Sequence, residues 1–515
     1  MLSKIVELAE RAALHTNPER ALRLLGYIPE SAFESLRNAR FKRTLKLAAA
    51  QSPFYREQFR QRGIDVRRID HPSQLGDFYT TGEDLRAFGA ERFLAGRPYT
   101  AFETTGTTSP VPKRVYFSRR EVADMGRLTA LWLYLLGLRR DDRVLSAFDC
   151  SFWVSPWVLR SGLELIDCFH VEAGKIDPAE FYERALEYRP TVIFGEPSWI
   201  VRLAEVAQIR GPWPVKFLFA GGENIAEASR RLVEESWSAP LYLNYGQTES
   251  FGALGAECRM KDGYHRNDLY FFFELADADR EGYGEIIYTT LARDVMPLIR
   301  YRSTDVAQLI DTPCACGVDM GRIGKIRGRC DEMVVCGMGN IGPWVFDGIL
   351  RGIDGIGDDW QAVVRHEAPH DVVELHVEMD DTSRQDAVER AIHVNMRERF
   401  ADFWKNREMK LYDLRVVADR PGSLRGGDRK LRRVVDDRQM TTKVTGAAPR
   451  RDPTARIESD RRSPASRRPP PATPRASAPA WAPATVECHP AAAGCRPSCQ
   501  TPAGRRPPSI GSPRR

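Results

Sequence analysis

Nowhere in its 515 residues does this chain hold 18 consecutive apolar residues, so it offers no stretch long enough to cross a bilayer as a helix. The opening segment, Met1–His15, is charged and amphipathic and lacks the apolar centre and cleavage site of a secretory leader. Without a leader, the ten cysteines are expected as thiols or metal ligands in a reducing cytoplasm, not as disulfides. Strong charge of one sign is also missing from most of the chain. The formal net charge is +6, but the last 75 residues carry 14 Lys+Arg against 4 Asp+Glu, which leaves residues 1–440 at a net −4. A slightly acidic body gives no argument for nucleic-acid binding. No nucleic-acid and no membrane partner is expected; the oligomeric state is left open, a homodimer included.

At this length about two to four domains are expected. Residues 33–62 place charged and apolar side chains at helical spacing and predict two helices broken at Pro53. Thr191–Gly195, Val215–Gly222 and Leu241–Gly246 read as buried strands, and the helix-like Pro178–Arg189 and Glu227–Ser236 alternate with them. Such alternation predicts an α/β layer architecture with functional loops at the strand ends. Gly282–Leu291 reads as a half-exposed strand of an antiparallel subdomain. Past Gly328 the pattern changes to strands, such as Val372–Glu378, with one clear helix, Asp386–Arg399, enough for a small α+β domain. From Thr441 the composition turns to Pro, Arg, Ala and Ser, with 15 of the 34 prolines, and that tail is expected to be disordered. The expected domains are 1–328, 329–440 and a tail over 441–515.

The stretch Thr104-Thr-Gly-Thr-Thr-Ser-Pro-Val-Pro-Lys-Arg114 carries the first chemical signal. Small hydroxylated residues beside a glycine let N–H and O–H groups converge on one anion, and Lys113 supplies charge. The same composition also makes a plain surface turn. It is not a Walker A loop, because Pro112 precedes Lys113 and Arg114 follows it. Further segments follow in order: Ala220-Gly-Gly-Glu-Asn224 and Asn244-Tyr-Gly-Gln-Thr-Glu249 at strand ends, Pro297-Leu-Ile-Arg-Tyr-Arg-Ser-Thr-Asp305, Gly328-Arg-Cys-Asp-Glu332, and Gly426-Gly-Asp-Arg-Lys-Leu-Arg-Arg433. This series resembles the adenylate-forming enzymes, which include acyl-CoA synthetases, adenylation domains and luciferases. Ser52-Pro-Phe-Tyr55 and Phe78-Tyr-Thr-Thr-Gly-Glu-Asp-Leu-Arg86 make it most similar to the phenylacetate-CoA ligase branch.

The resemblance implies a large N-terminal domain of layered β-sheets and helices and a small mobile C-terminal domain. It implies ATP, Mg²⁺ and coenzyme A as cofactors and transfer of a carboxylate to the α-phosphate, in which positioning and charge stabilisation dominate. Thr104, Thr105, Gly106, Thr107, Thr108 and Lys113 would cradle the outer phosphates. Gly221, Gly222 and Glu223 would line the adenine side, and Asn244, Tyr245 and Gly246 would complete the nucleotide site, with Tyr245 offering adenine a flat face. Thr248 would give a hydroxyl to phosphate and Glu249 an oxygen ligand to Mg²⁺. Asp305 would accept from the ribose hydroxyls, Arg329 would contact ribose and phosphate, Asp331 would be the hinge, and Lys430 the mobile lysine that meets carboxylate and α-phosphate. Ser109 stands where the family usually has a second glycine, and Pro-Val-Pro follows it, a departure expected to stiffen the loop or move Lys113.

Cys258 with His265, and Cys314 with Cys316, make three thiolates and one imidazole, a closed tetrahedral set suited to Zn²⁺, although Cys-x6-His is looser than finger spacing. The branch often carries a Cys/His zinc site in this region, so the resemblance implies a structural Zn²⁺. The acyl pocket is expected from Phe148, Phe152, Trp153 and Phe194, whose aromatic walls suit a flat aromatic acid. The expected activity is an aryl-acid:CoA ligase, with an acyl carrier protein or an amine as the alternative acceptor and a non-catalytic scaffold as the remaining reading.

Overall fold

The computed structural model describes residues 2–25, 27–104, 112–318, 320–330, 333–357, 359–424 and 431–438. The tail over 441–515 lies outside the described residues. The molecule is a mixed α/β protein with a large N-terminal and a small C-terminal domain, each around its own hydrophobic core.

A nine-stranded mixed sheet organises the large domain. Five parallel strands run in the spatial order Phe169–Glu172, Arg143–Ser146, Val192–Gly195, Phe217–Gly221 and Leu241–Gln247. Gly252–Ala256, Tyr264–Arg266, Arg322–Ile323 and Leu309–Ile310 extend it antiparallel. The central strands read as unbroken apolar runs because both faces are covered. Val192, Phe217, Phe219 and Tyr242 pack with Leu159 and Leu163 of helix Ser155–Ile166 on one face. Ile193, Leu218, Ala220 and Leu243 point the other way, toward Trp199 and Leu203 of helix Pro197–Arg210. Strand periodicity of two makes that division. Because these strands run parallel, their carboxyl ends, with Gly221–Glu223 and Asn244–Glu249, lie at one edge of the sheet, the edge where open α/β sheets bind ligands.

A second, antiparallel sheet contains Phe271–Ala276, Gly284–Thr290, Tyr301–Ala307 and Gly328–Arg329. The strand expected to be half-exposed, Gly284–Thr290, is buried at every position. It is an interior strand with both faces covered, so its polar residues belong to internal hydrogen bonds and not to a solvent face. Tyr301–Ala307 alternates instead, with Tyr301, Ser303, Asp305 and Ala307 all turned inward.

The N-terminal helices expected on either side of Pro53 are Glu30–Gln51 and Pro53–Gln61. Ser52 caps the second, accepting from Tyr55 N, and Pro53 fills its first turn, where no N–H is needed. This aims Tyr55 into the core. Thr80 donates to Ile299 O at 2.7 Å, so the 2.9 Å bond from Tyr55 Oη to Thr80 Oγ1 uses the tyrosine proton, and Tyr55 Oη in turn accepts from Ile299 N at 3.0 Å. The two N-terminal motifs thus lock the segment that carries Tyr301. Tyr55→Phe leaves Ile299 N–H buried without a partner and is expected to cost about 1–3 kcal/mol of stability; urea unfolding with unchanged m measures it, and a loss below about 0.5 kcal/mol overturns the account.

In the small domain a four-stranded sheet is ordered Tyr412–Asp419, His370–Glu378, Trp360–Glu367, Val434–Asp436. Helices Pro343–Leu350 and Gln385–Arg399 contribute Phe346, Ile349, Val388 and Ile392 to its core.

Candidate active site

The loop between Thr104 and Lys113 is closed at its base by Thr104 N donating to Lys113 O at 2.9 Å and Lys113 N donating to Thr104 Oγ1 at 3.3 Å. Antiparallel pairing of Thr100–Glu103 with Arg114–Phe117 forms the stem. Phe102 on one strand, Phe117 on the other and Phe251 just past Glu249 pack together, the last two with centroids 4.3 Å apart. Lys113 Nζ reaches Glu249 Oε1 at 2.5 Å and Tyr301 Oη at 3.4 Å, and Tyr301 donates to the same Glu249 oxygen at 2.8 Å. Burial alone would raise the Glu249 carboxyl, which is 3% exposed, but the Lys113 charge and the bonds from Lys113 and Tyr301 hold it below the usual range. Thr248 stands half-buried beside it at the start of the turn Thr248–Ser250. Tyr301 and Arg293 were missed by sequence reasoning. The buried Arg293 stacks over Phe117 at 4.3 Å and donates to Glu249 O, and no local motif marks it.

A second polar group, where the sequence expects the ribose acceptor, is built on Asp305. Its Oδ2 accepts from Tyr245 Oη at 2.7 Å and Gln247 Nε2 at 2.8 Å, and its Oδ1 accepts from Arg329 Nη1 at 2.8 Å. Arg329 stands opposite Asp305 in the sheet and also donates to Thr304 Oγ1. Thr304 has φ 65, uncommon for a β-branched residue, where the pairing with Gly284–Thr290 shifts register. Gly221 lies opposite Asn244, and a Cβ there would stand 1.9 Å from Asn244 Oδ1, so a side chain at 221 would have to displace that amide. Gly246 is equally confined, its Cβ position 2.2 Å from Gly252 O. Gly222 follows in the left-handed region with φ 98 and open space around it. The Glu223 carboxylate accepts from Ser198 N at 3.0 Å and Ser198 Oγ at 3.1 Å; burial and the nearby Glu196 push its acid up to about 8 against the pull of Lys175.

Cys258, His265, Cys314 and Cys316 converge, with all four ligand atoms within 4.8 Å of one another. Cys258 and Cys314 sulfurs are 3.8 Å apart, and Cys316 Sγ lies 3.3 Å from His265 Nε2. A tetrahedral zinc with Zn–S bonds near 2.3 Å has an S–S edge of about 3.8 Å, so the donor set fits the ion. Cys258 follows strand Gly252–Ala256, His265 sits on strand Tyr264–Arg266, and Cys314 and Cys316 occupy the connection between Leu309–Ile310 and Arg322–Ile323. The cluster therefore ties the antiparallel edge of the large sheet to itself.

The family description "AMP-binding enzyme" matches residues 71–269, and "AMP-binding enzyme C-terminal domain" matches residues 339–438. The chain belongs to the AMP-binding, or adenylate-forming, enzyme family. Among its relatives, a phenylacetate-coenzyme A ligase of Thermus thermophilus is 28% identical over 373 residues, 69% of this chain and 83% of that one. A solved 2-hydroxyisobutyryl-CoA ligase, in complex with 2-HIB-AMP and CoA in its thioesterification state, shares the fold with a TM-score of 0.67 at 23% identity, covering 80% of this chain and 91% of that one. The same ligase in its postadenylation state gives 0.56 at 22% identity, covering 80% and 90%.

In this adenylate-forming enzyme the residues expected around the acyl group are dispersed. Phe148 and Phe194 belong to one core cluster behind the sheet, whereas Phe152 is 71% exposed and Trp153 half-buried. Thr105, Gly106, Thr107 and Thr108, together with Asp331, expected as the hinge, and Lys430, expected as the lysine that meets the carboxylate, lie outside the described residues. Of the expected site residues that are described, the structure joins Thr104, Lys113 and Glu249 at one end and Tyr245, Asp305 and Arg329 at the other. Among the described residues no helix is long and apolar enough to cross a membrane.

Proposed function

We propose that the protein activates an aromatic carboxylic acid with ATP and passes the acyl group to coenzyme A, in two orientations of the small domain. One observation carries the reading: Tyr301 and Asp305 face inward from the same strand, about 13 Å apart along it. That separation spans a nucleotide from ribose to outer phosphates, with an acceptor carboxylate at one end and a carboxylate–ammonium pair at the other. Asp305 would take the ribose hydroxyls, and Lys113 would exchange Glu249 for phosphate oxygens. Glu249, whose hard oxygen already holds a cation, fits Mg²⁺, which when bound neutralises charge on the outer phosphates. The acid's carboxylate oxygen attacks the α-phosphate, pyrophosphate leaves, and a thiol then attacks the acyl carbon as AMP departs. Lys430 would approach the carboxylate only in the first step.

Similarity to phenylacetate-CoA ligases supports an aryl acid. The higher structural score with a thioesterification-state ligase supports an arrangement suited to the second step. Acid-dependent pyrophosphate release across a panel of aromatic acids, with and without CoA, tests the reading. Release followed by CoA consumption is expected; adenylate without thioester shifts the acceptor to a carrier protein or amine, and silence with every acid overturns activation of an aromatic acid. Lys430→Ala is expected to slow pyrophosphate release by about a hundredfold or more while sparing thioester formation from preformed acyl-adenylate. Equal loss in both steps refutes that role.

A further inference from the structure

The short helix Gly82–Ala87 begins beside Lys113, and its first residue has no side chain. A Cβ on Gly82 would lie 3.3 Å from both Cδ and Nζ of Lys113 and 3.4 Å from Tyr301 Oη, the two groups that reach the Glu249 carboxylate. The backbone does not call for glycine here, because Gly82 is helical and outside the left-handed region. What the position needs is the space above its Cα.

Gly82 cannot retreat to make room for a side chain. Thr80, two residues earlier, is bridged to Tyr301: Thr80 N donates to Arg300 O at 3.1 Å, and Arg302 N donates to Thr80 O at 2.9 Å. Thr81 and Asp84 then close a capping box that fixes the first turn, Asp84 N donating to Thr81 Oγ1 at 3.1 Å and Thr81 N to Asp84 Oδ2 at 2.8 Å. Tyr301 is held as firmly, since it is 2% exposed and its hydroxyl donates to Glu249 Oε1 at 2.8 Å. A side chain at position 82 therefore displaces Lys113. The Lys113 backbone is fixed to Thr104 in both directions, so the displacement falls on the end that carries the ammonium.

We propose that Gly82 is a positioning residue for ATP, acting through Lys113: the gap it leaves is where the ammonium sits to meet the outer phosphates. The role in ATP binding rests on the ligase reading above. Two consequences separate it from a plain helix start. With a compatible backbone, Gly82→Ala restricts the unfolded chain and favours the helix, so a purely structural position gains from the methyl group. A positioning residue loses by it, and only toward ligands that Lys113 meets, the β- and γ-phosphates that ATP has and AMP lacks.

Calorimetric titration of the full chain with Mg²⁺ and α,β-methylene-ATP, which cannot release pyrophosphate, and separately with AMP tests the role without any acid. Gly82→Ala is expected to weaken binding of the ATP analogue by about tenfold, the scale of one charge-assisted hydrogen bond, and Gly82→Leu by more, with AMP within about twofold of the parent in both. The unfolding temperature of Gly82→Ala is expected to equal or exceed the parent's. In a Lys113→Met background, Gly82→Ala is expected to change the affinity for the analogue by less than about twofold, because the group it displaces is gone. Unchanged analogue affinity in both variants, equal weakening of analogue and AMP, or a Gly82→Ala loss that persists beside Lys113→Met overturns the positioning role and leaves the ligase reading standing. A parent that binds neither nucleotide overturns the ligase reading, and this role with it.

Discussion

Glu249→Gln reduces acid-dependent pyrophosphate release by about a hundredfold or more, the scale set by removing a preorganised charge from a transition state. The glutamine keeps an oxygen for Tyr301 but gives up the charge that faces Lys113 at 2.5 Å. Two effects then coincide: the metal–phosphate end loses its anionic ligand, and an ammonium that is 11% exposed loses its counter-charge. A stability loss is therefore expected alongside the kinetic one, and thermal unfolding measured in parallel separates them. If release stays near the parental rate while the unfolding temperature drops, Glu249 is a structural partner of Lys113 and nothing more. The pair also fixes a pH limit. Because the Glu249 carboxyl is held below its usual range, the pair's contribution is fully present above the ordinary glutamate range and is lost only as pH falls through the lowered value. Weakly acidic loss of activity must then come from another group, and adenylation measured down to pH 5 checks this.

Cys316→Ser removes one ligand of the Cys/His cluster, and the purified variant is expected to carry far less than the one zinc per chain expected of the parent. Structural zinc sites contribute folding free energy outright, so an unfolding temperature lower by about 10 °C or more is expected. The four ligands come from separate segments at one sheet edge, and that edge adjoins the nucleotide motif, since Ala256 pairs with both His265 and Asn244. Loosening it should therefore weaken nucleotide binding without touching a catalytic group. Metal analysis of the parent decides the matter first: a full-length protein without zinc ends this assignment.

Much of the fold was legible because its signals are local. Apolar runs bounded by helical patterns gave three of the five parallel strands, and the glycines at their ends marked the strand-end loops; Arg143–Ser146 and Phe169–Glu172 were not read from the sequence. The Cys/His set was legible as a candidate cluster more through the family resemblance than through its loose Cys-x6-His spacing, and the structure brings the four side chains together. What escaped depends on distant pairings. Tyr301, bridged to Thr80 at the start of its strand in the second sheet, becomes part of the site because its hydroxyl reaches Glu249 at the end of a large-sheet strand. Arg293 reads as an ordinary surface arginine until Phe117 covers it. Gly284–Thr290 misled for the opposite reason: its polar residues face other protein, which alternation cannot distinguish from water.

The trio Phe102, Phe117 and Phe251 has a further meaning for the unusual sequence between Thr104 and Lys113. Both stems of that loop are bolted to the residue two past Glu249, so the anchor points do not depend on what joins them. Such a connection is a natural graft site. Exchanging residues 105–112 for a shorter, glycine-richer segment should alter grip on ATP while leaving acid selectivity and folding as they are, so the departure at Ser109 is an adjustable setting on a fixed mount.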